Sequence, residues 1–318
     1  ISDIGDLMFP IIPANSAAEG ERNQEGIFGF GSDGGASDLT NKVSNTGVVA
    51  ADVSGVGTAR YDPAGCEYGE DKAIIGFGYD ANPNVTNLTN LISNTGVVAS
   101  DQAATTGTAR SMLAACSFGG DGGDQGIFGF GYPASIGSDI TNLVSNAGVV
   151  AADVSGVGTS RQALAACEYG DDKAIFGFGT STGSNNLSLT NLVSNAGVVA
   201  SDQAATTGSA RRYLAACSFG GDQGIFGYGY IGPSRTAVTN IVSNTGVVAS
   251  DVAGVGTARN ALAACEFGGD QAIFGFGAKT GGVVCSLTNL VSNTGVVASD
   301  QAATTGTARA EGAACSFN

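Results

Sequence analysis

One motif occurs six times along this chain, at intervals of 47 to 53 residues. Each copy contains Ile-x-Gly-x-Gly, then Thr-Asn, then Ser-Asn-x-Gly-Val-Val-Ala, then an Asp, an Arg and a Cys. The copies begin at Ile27, Ile74, Ile127, Ile175, Ile225 and Ile273. A period of this length is typical of one stacked or closed array rather than of independent domains. We therefore expect one domain, residues 25–318, preceded by an extended arm, residues 1–24.

The six copies alternate between two versions. One reads Asp-Val-(Ser/Ala)-Gly-Val-Gly-Thr and the other Asp-Gln-Ala-Ala-Thr-Thr-Gly, so the Asp and Arg of a copy are separated by 8 or 9 residues in turn. The chain thus consists of three doublets, which predicts a pseudo-threefold axis.

The composition of the chain excludes some functions. Thirteen Lys and Arg residues stand against 28 Asp and Glu residues, which gives a net charge of −15. Nucleic-acid binding needs clustered cations, and six of the cations are the arginines of the repeats, so we expect no nucleic-acid partner. No apolar run reaches the roughly 18 residues of a membrane helix, and we expect no membrane insertion.

Short runs rich in Val, Ile, Thr and Phe, separated by Gly-rich turns, predict an all-β chain. Residues 109–151 illustrate the expected unit, with strands at 109–118, 126–131, 140–145 and from 149 onward. Four strands in about 50 residues are typical of one blade of a β-propeller.

The two ends of the chain complement each other. The last repeat stops at residues 315–318, before its second strand, whereas the first motif element, residues 27–31, has no strand before it. Pairing them would complete a sixth blade and remove two open sheet edges. We therefore predict a six-bladed β-propeller of four-stranded blades, closed by its N- and C-terminal strands.

The order of elements in each unit resembles the Kelch repeat. An Arg precedes a strand of small residues, a Gly-Asp turn follows, and an apolar strand ends in a glycine pair such as Gly129 and Gly131. The resemblance covers residues 25–318, although the outer-strand Trp of the family is missing and the chain contains no Trp. It implies that the Ala-Ala-Cys strand is innermost and that Phe28, Phe128, Phe176, Phe226 and Phe274 fill the space between blades.

The amino-acid sequence of the repeats also resembles a second group of proteins. The segments 173–179, 190–195 and 197–202 are similar to repeat arrays of bacteriophage tail and virion proteins. This resemblance implies a structural or adhesive role in a virion or appendage, as a tail-fibre, receptor-binding or decoration protein, located on the virion or at an extracellular surface.

Catalytic and metal sites are not expected. The chain has no His, which removes the commonest general base and metal ligand. The Gly-Asp turns offer too few carboxylates for calcium. Six of the seven cysteines share one position of the repeat, and we expect them to be reduced inner-strand residues, the alternative being an axial thiol ring that binds a metal. Cys285 lies outside this pattern and is the candidate for an exposed thiol. We expect no cofactor.

The Asp and Arg of each repeat flank one loop. We expect a structural role in which the guanidinium holds the carboxylate across the base of that loop; the alternative is a ring of arginines that presents donors to an anionic ligand. The pairs are Asp52/Arg60, Asp101/Arg110, Asp153/Arg161, Asp202/Arg211, Asp251/Arg259 and Asp300/Arg309.

Two loops of each repeat depart from the consensus, one after the Gly-x-Gly strand and one just after the Arg. Variable loops on a rigid scaffold are common binding sites, and unconstrained drift is the alternative. The candidate binding residues are Tyr61, Tyr79, Asp80, Tyr132, Arg212, Tyr213, Tyr230, Arg235 and Lys279.

The N-terminal arm contains an apolar segment outside the repeats. We expect it to dock onto other virion or appendage subunits. Its candidate contact residues are Leu7, Met8, Phe9, Ile11 and Ile12.

The favoured hypothesis is a non-enzymatic structural or adhesive module, whose ligand is a host surface glycan or a neighbouring virion protein. Two alternatives stay open: a carbohydrate-binding lectin or carbohydrate-active enzyme, and an intracellular Kelch-like adaptor. An enzyme of this class would need a unique acidic pair near the axis, whereas the acids seen in the sequence recur in every repeat.

Overall fold

The computed structural model describes residues 24–317 except 83, 104, 120–123, 135, 182–184, 205 and 303. The predicted docking arm, with Leu7, Met8, Phe9, Ile11 and Ile12, lies outside the described residues. The described chain is all-β, and its one helical element is a single 3₁₀ turn, η1 (Thr280–Gly282). No described segment forms a helix with the length and apolarity that crossing a membrane requires.

Three strands recur in every repeat. The inner strands are β4 (Ala64–Tyr68), β8 (Ala114–Phe118), β11 (Ala165–Tyr169), β14 (Ala215–Phe219), β19 (Ala263–Phe267) and β24 (Ala313–Phe317). The middle strands are β1 (Glu25–Ser32), β5 (Lys72–Gly76), β9 (Gln125–Gly131), β12 (Lys173–Gly177), β15 (Gln223–Gly227) and β20 (Gln271–Gly275). The outer strands are β2 (Ala36–Val43), β7 (Thr89–Ile92), β10 (Ser138–Val144), β13 (Thr190–Val193), β18 (Thr239–Val242) and β23 (Thr288–Val291).

The remaining strands are two residues long and lie in the variable loops: β3 (Arg60–Tyr61), β6 (Tyr79–Asp80), β16 (Tyr230–Ile231), β17 (Ser234–Arg235), β21 (Ala278–Lys279) and β22 (Val283–Val284). Strands β3 and β6 extend the sheet β24-β1-β2 to five strands, while β16-β17 and β21-β22 form separate two-stranded sheets. The other five inner, middle and outer strand sets form three-stranded antiparallel sheets.

The first sheet joins the two ends of the chain, as predicted. Strand β24 pairs antiparallel with β1, with Ile27 opposite Cys315 and Phe28 opposite Ala314. Each inner strand contacts the inner strands of the repeats before and after it, and β24 contacts both β19 and β4. The order of contacts among the six inner strands is therefore cyclic.

The predicted fourth strand of each repeat is not a continuous strand. The segment after each outer strand forms only isolated bridges, such as Val43 with Val49 and Thr40 with Val53. A side chain replaces part of the missing ladder, because the buried Asn41 amide donates hydrogen bonds to the Ala50 carbonyl at 3.0 Å and to the Asp52 carboxylate at 2.9 Å. This is a correction to the prediction of four-stranded units.

The predicted strand at 109–118 is also too long, since the observed strand begins at Ala114. Met112 has φ of +52°, and this left-handed backbone interrupts an extended strand. The same conformation occurs two residues after each repeat arginine, with φ between +52° and +58°.

The core lies between neighbouring sheets. The predicted wedge residues Phe28, Phe128, Phe176, Phe226 and Phe274 are at most 1% exposed. Each one meets an aromatic ring of an adjacent repeat edge to face, as Phe128 meets Phe77 with centroids 5.0 Å apart. Burying a side chain of this size stabilises the fold by about 1.5–3 kcal/mol, so neighbouring repeats stabilise each other.

Candidate functional site

A ring of backbone hydrogen bonds encircles the axis at the N-terminal end of the inner strands. The amide of Asp62 donates to the carbonyl of Glu311 at 2.7 Å, and Met112 donates to Asp62 at 3.1 Å. Four equivalent bonds of 2.8 Å complete the circle, from Ala163 to Met112, Tyr213 to Ala163, Ala261 to Tyr213 and Glu311 to Ala261. We call these six residues the axial ring. Their left-handed backbone turns every N–H towards the preceding repeat, so one bond joins each pair of neighbours.

The axial ring places two acidic side chains next to each other. Asp62 and Glu311 occupy adjacent ring positions, and only 9% of Asp62 is exposed. Burial and the neighbouring Glu311 carboxylate raise the pKa of Asp62 well above its usual value, and burial raises the pKa of Glu311. Among the described residues, no donor forms a hydrogen bond with the Asp62 carboxylate. A unique acidic pair therefore lies at the axis, contrary to the sequence-based expectation.

Tyrosines surround this acidic pair. The rings of Tyr61 and Tyr79 stack at 5.2 Å between centroids with an interplanar angle of 27°. Burial raises the pKa of Tyr61, and the charges of Asp62 and Glu311 raise it further. The Tyr213 hydroxyl donates to the Met112 sulfur at 3.5 Å, and burial followed by the Asp62 charge raises the pKa of Tyr213 to about 12.

Several predicted binding residues thus come together. Tyr61 pairs with Tyr79 and Arg60 with Asp80 where β3 meets β6. Tyr132 forms a bridge with Ser111. Burial raises the pKa of Tyr79, and the charge of Tyr132 raises it further.

The other predicted binding residues form a second, basic cluster. The Arg212 guanidinium lies 5.1 Å from the centroid of the Tyr230 ring and 6.0 Å from that of Tyr213. Arg235 pairs with Tyr230 in the β16-β17 hairpin and donates to Asn260 at 2.7 Å. Lys279 lies in a different hairpin, β21-β22, where it pairs with Val283.

The repeat arginines are structural, but they pair differently from the prediction. Arg60 contacts Asp101 of the next repeat at 3.6 Å instead of Asp52, and Asp52 contacts Arg309 at 3.8 Å. Two further arginines also contact the aspartate of the next repeat, Arg161 with Asp202 at 3.5 Å and Arg259 with Asp300 at 3.8 Å. Because each carboxylate meets a single guanidinium nitrogen, the contact between neighbouring repeats is not bidentate.

Each arginine is held inside the fold. Arg60 is 0% exposed, its guanidinium lies 4.1 Å from the centroid of the Phe30 ring, and it donates to the Asn90 side chain. Burial lowers its pKa to about 10, so the charge persists at neutral pH. The alternative of an arginine ring that binds an anion is wrong, because all six arginines are at most 2% exposed.

The aspartates of these pairs also fasten neighbouring repeats together. The Thr58 amide and hydroxyl donate to the Asp101 carboxylate at 2.9 and 2.7 Å. Burial would raise the pKa of Asp101, but the hydrogen bonds from Thr58 and Asn90 lower it below its usual value. Thr307 binds Asp52 in the same way, which fastens the end of the chain to its beginning.

A second ring of side chains lies at the other end of the inner strands. The six inner strands line a cavity of about 70 Å³, the axial cavity, with room for about five waters at 10–15 Å³ each. Acidic and hydroxyl side chains alternate around it: Glu67, Ser117, Glu168, Ser218, Glu266 and Ser316. The doublets of the sequence appear here as a threefold pattern.

Burial raises the pKa of two of these carboxyl groups. It raises the pKa of Glu266 to about 7, and it raises the pKa of Glu168 together with the charges of Glu67 and Glu266. The Ser218 hydroxyl lies 2.7 Å from the Glu266 carboxylate and Ser117 lies 3.4 Å from Glu168. In the part of the chain that the structure describes, no group of three acidic or thiol side chains is arranged to hold a metal ion.

The cysteines are free and buried, and the six repeat cysteines belong to the inner strands that line the axial cavity. A methyl group on Gly126 would stand 2.6 Å from the sulfur of Cys66, so this thiol points towards the middle strand of the next repeat. Cys167 faces Gly224 and Cys265 faces Gly26 in the same way. The alternative of an axial thiol ring is therefore wrong for these positions. Cys285 is 5% exposed, which corrects its assignment as an exposed thiol.

No protein-family model and no curated protein matches this chain.

Proposed function

We propose that this chain is a six-bladed, Kelch-like β-propeller that acts as a non-enzymatic recognition module, with its binding surface at the axial ring. The cyclic contacts of the inner strands and the pairing of β24 with β1 support the architecture. On this proposal each sheet is the paired part of one blade, and the bridged segment after its outer strand completes that blade.

The observation that carries the function is the axial ring. Six equivalent backbone bonds hold its residues in one place, yet their side chains are Asp, Met, Ala, Tyr, Ala and Glu. The backbone therefore does not require any one of these side chains. A rigid framework with variable side chains at a single position is typical of binding surfaces.

A surface glycan is the favoured ligand. The stacked Tyr61 and Tyr79 offer partly exposed aromatic faces, which combine a large apolar contact with a polar tip. The carboxyl groups of Asp62 and Glu311 lie beside them and can accept hydrogen bonds from sugar hydroxyls. Both features are absent from the equivalent ring positions Ala163 and Ala261.

Binding to an oligosaccharide array tests this function. The wild-type chain is expected to bind a subset of glycans, and a Tyr61→Ser/Tyr79→Ser variant is expected to lose at least tenfold in affinity. Val48→Ser is the matched control, because Val48 is 65% exposed on a turn of the repeat. Equal binding by the wild type and the tyrosine variant would contradict the proposed surface.

The acidic pair also supports a second candidate, a carbohydrate-active enzyme. Glycoside hydrolysis uses one carboxylic acid and one carboxylate on the two sides of the scissile bond. Asp62 and Glu311 instead occupy adjacent positions of one ring, which favours binding over cleavage. Release of reducing ends from a bound oligosaccharide, lost in Asp62→Asn, would establish the enzyme instead.

The cellular setting follows only from the resemblance of the repeats. Display on a phage-like virion or appendage, with residues 1–24 docked to a neighbouring subunit, stays a prediction. If this prediction holds, the full chain is expected to copurify with virion subunits. Deletion of residues 1–23 is expected to abolish the copurification.

A further inference from the structure

The axial ring contains two neighbouring acidic side chains, and one of them, Asp62, is buried. Asp62 is nine-tenths buried, and no donor among the described residues bonds to its carboxylate. Glu311, its neighbour in the ring, adds a second carboxyl group. A buried carboxylate without a partner is costly, and it either retains a proton or takes up a cation.

The repeat arginines nearest to Asp62 and Glu311 in the sequence bind other groups. Arg60 lies over the Phe30 ring and bonds to Asn90. Arg309 lies over the Phe276 ring and donates to the Phe30 carbonyl at 2.9 Å. Both guanidinium groups are buried and bound to these other neighbours, so neither forms an ion pair with Asp62 or Glu311.

The surroundings of the pair select the kind of cation. Two carboxyl groups are too few for calcium, which takes six to eight oxygen ligands. A primary ammonium is a compact charge with three donors, which two carboxylates can accept together. The rings of Tyr61, Tyr79 and Tyr213 stand around the pair, and aromatic faces attract such cations.

We propose that the Asp62–Glu311 pair binds the free amino group of an amino sugar, with the Tyr61–Tyr79 stack contacting the sugar ring. This inference rests on the proposed function, since it assigns the ligand class of the same surface. A glycan is favoured over a lysine side chain because the stacked tyrosines offer an extended aromatic surface beside the charge, which a single alkyl chain would leave uncovered.

Calorimetric titration of the full chain at pH 7.5 tests the inference. The probes are a deacetylated glucosamine tetramer, its fully N-acetylated counterpart and a lysine-containing tetrapeptide. The amino-sugar tetramer is expected to bind at least tenfold more tightly than the acetylated one. Asp62→Asn/Glu311→Gln is expected to remove that difference.

The chain offers a closely matched control. Glu70 and Asp171 are exposed acids with φ of +70° and +66°, close to the +52° and +58° of Asp62 and Glu311. Glu70→Gln/Asp171→Asn makes the same change of net charge on the same backbone conformation, and it is expected to leave binding unchanged. Should the ring double variant fail to fold, Glu311→Ala replaces it, because alanine already occupies two ring positions.

The outcomes separate this inference from the function on which it rests. Preference for the acetylated tetramer overturns the amino-group assignment and leaves glycan recognition in place. Binding of the lysine peptide alone overturns the sugar as the ligand class. Failure of every glycan on the array to bind, with the fold intact, overturns the proposed function as well.

Discussion

The two ends of the inner strands carry rings of opposite character. Around the axial cavity, glutamates and serines alternate strictly, so that the side chains repeat with the doublets. In the axial ring, the backbone repeats six times but the side chains do not. Both rings surround the same axis, and the same strands position them.

This difference shows which residues build the fold and which are free to bind. A cavity residue contacts its neighbour, as the Ser218 hydroxyl contacts Glu266, so the two must match. An axial-ring residue is held by its own amide and carbonyl, and its side chain is not needed for closure. Repeated positions therefore report on stability, and the axial ring reports on function.

Closure by the C-terminal strand should give the largest effect. Deleting residues 313–318 removes the buried Phe317 and leaves β1 without one of its two partners. We expect a loss of about 5 kcal/mol or more, comparable to the whole stability of a typical domain, seen as loss of the cooperative thermal transition by circular dichroism. A peptide of residues 311–318 should restore the transition, and an unchanged melting temperature after deletion would mean that the array is open.

Substitution of two consecutive arginines compares a residue that builds the fold with a candidate binding residue. Arg211 is fully buried, donates to the Tyr228 carbonyl at 2.9 Å and lies over the Phe178 ring, whereas Arg212 is half-buried near Tyr230. Arg211→Met is expected to lower the free energy of unfolding by about 3 kcal/mol, because buried acceptors and the Asp251 charge lose their partner. Arg212→Met should cost at most about 1 kcal/mol, measured by urea denaturation, and equal costs would contradict the distinction.

The axial cavity should make stability depend on pH. The pKa of Glu266 is raised to about 7, so the folded state holds this proton more tightly than the unfolded chain. Its contribution to stability is therefore fully present below about pH 4.5 and is lost as the pH rises through 7. Glu266→Gln is expected to gain about 1–3 kcal/mol at pH 8 and nothing at pH 4. Urea denaturation across this range measures the effect, and the exposed Glu70→Gln should leave the profile unchanged.

Glycine substitution in the axial ring should give the smallest effect. Ala163 has φ of +52°, a conformation that glycine adopts without strain. Ala163→Gly is expected to stabilise the protein by about 0.5 kcal/mol. Ala166→Gly, in the adjacent strand β11, should destabilise it by a similar amount or more. Destabilisation by both changes would show that the ring does need its side chains.

The repeats predict much of this fold from sequence alone. Three strands in each repeat and the pairing of β24 with β1 follow from hydrophobic patterning and from the incomplete first and last copies. The burial of the phenylalanines between repeats was an expectation from the resemblance to the Kelch repeat. The fourth strand failed as a prediction because its ladder is replaced by bonds from side chains such as Asn41, which propensity does not describe.

The candidate site was harder to predict, for a physical reason. Asp62 and Glu311 are 249 positions apart in the sequence, and only closure of the ring makes them neighbours. The Asp–Arg partners were misassigned for a related reason, since each carboxylate reaches across to another repeat instead of across its own loop. One signal was available: Glu and Ser alternate directly after the repeat cysteines, which predicts a ring of alternating character once an axis is assumed.

Amide hydrogen exchange in β24 tests the closed arrangement most directly. The strand follows the last repeat arginine, and its ladder partner is β1, nearly the whole chain away. In a closed ring, the amides of residues 313–317 are expected to exchange as slowly as those of residues 165–169 in β11. Exchange in residues 313–317 at the rate of an unpaired terminal segment, with β11 still protected, would contradict closure and with it the axial ring.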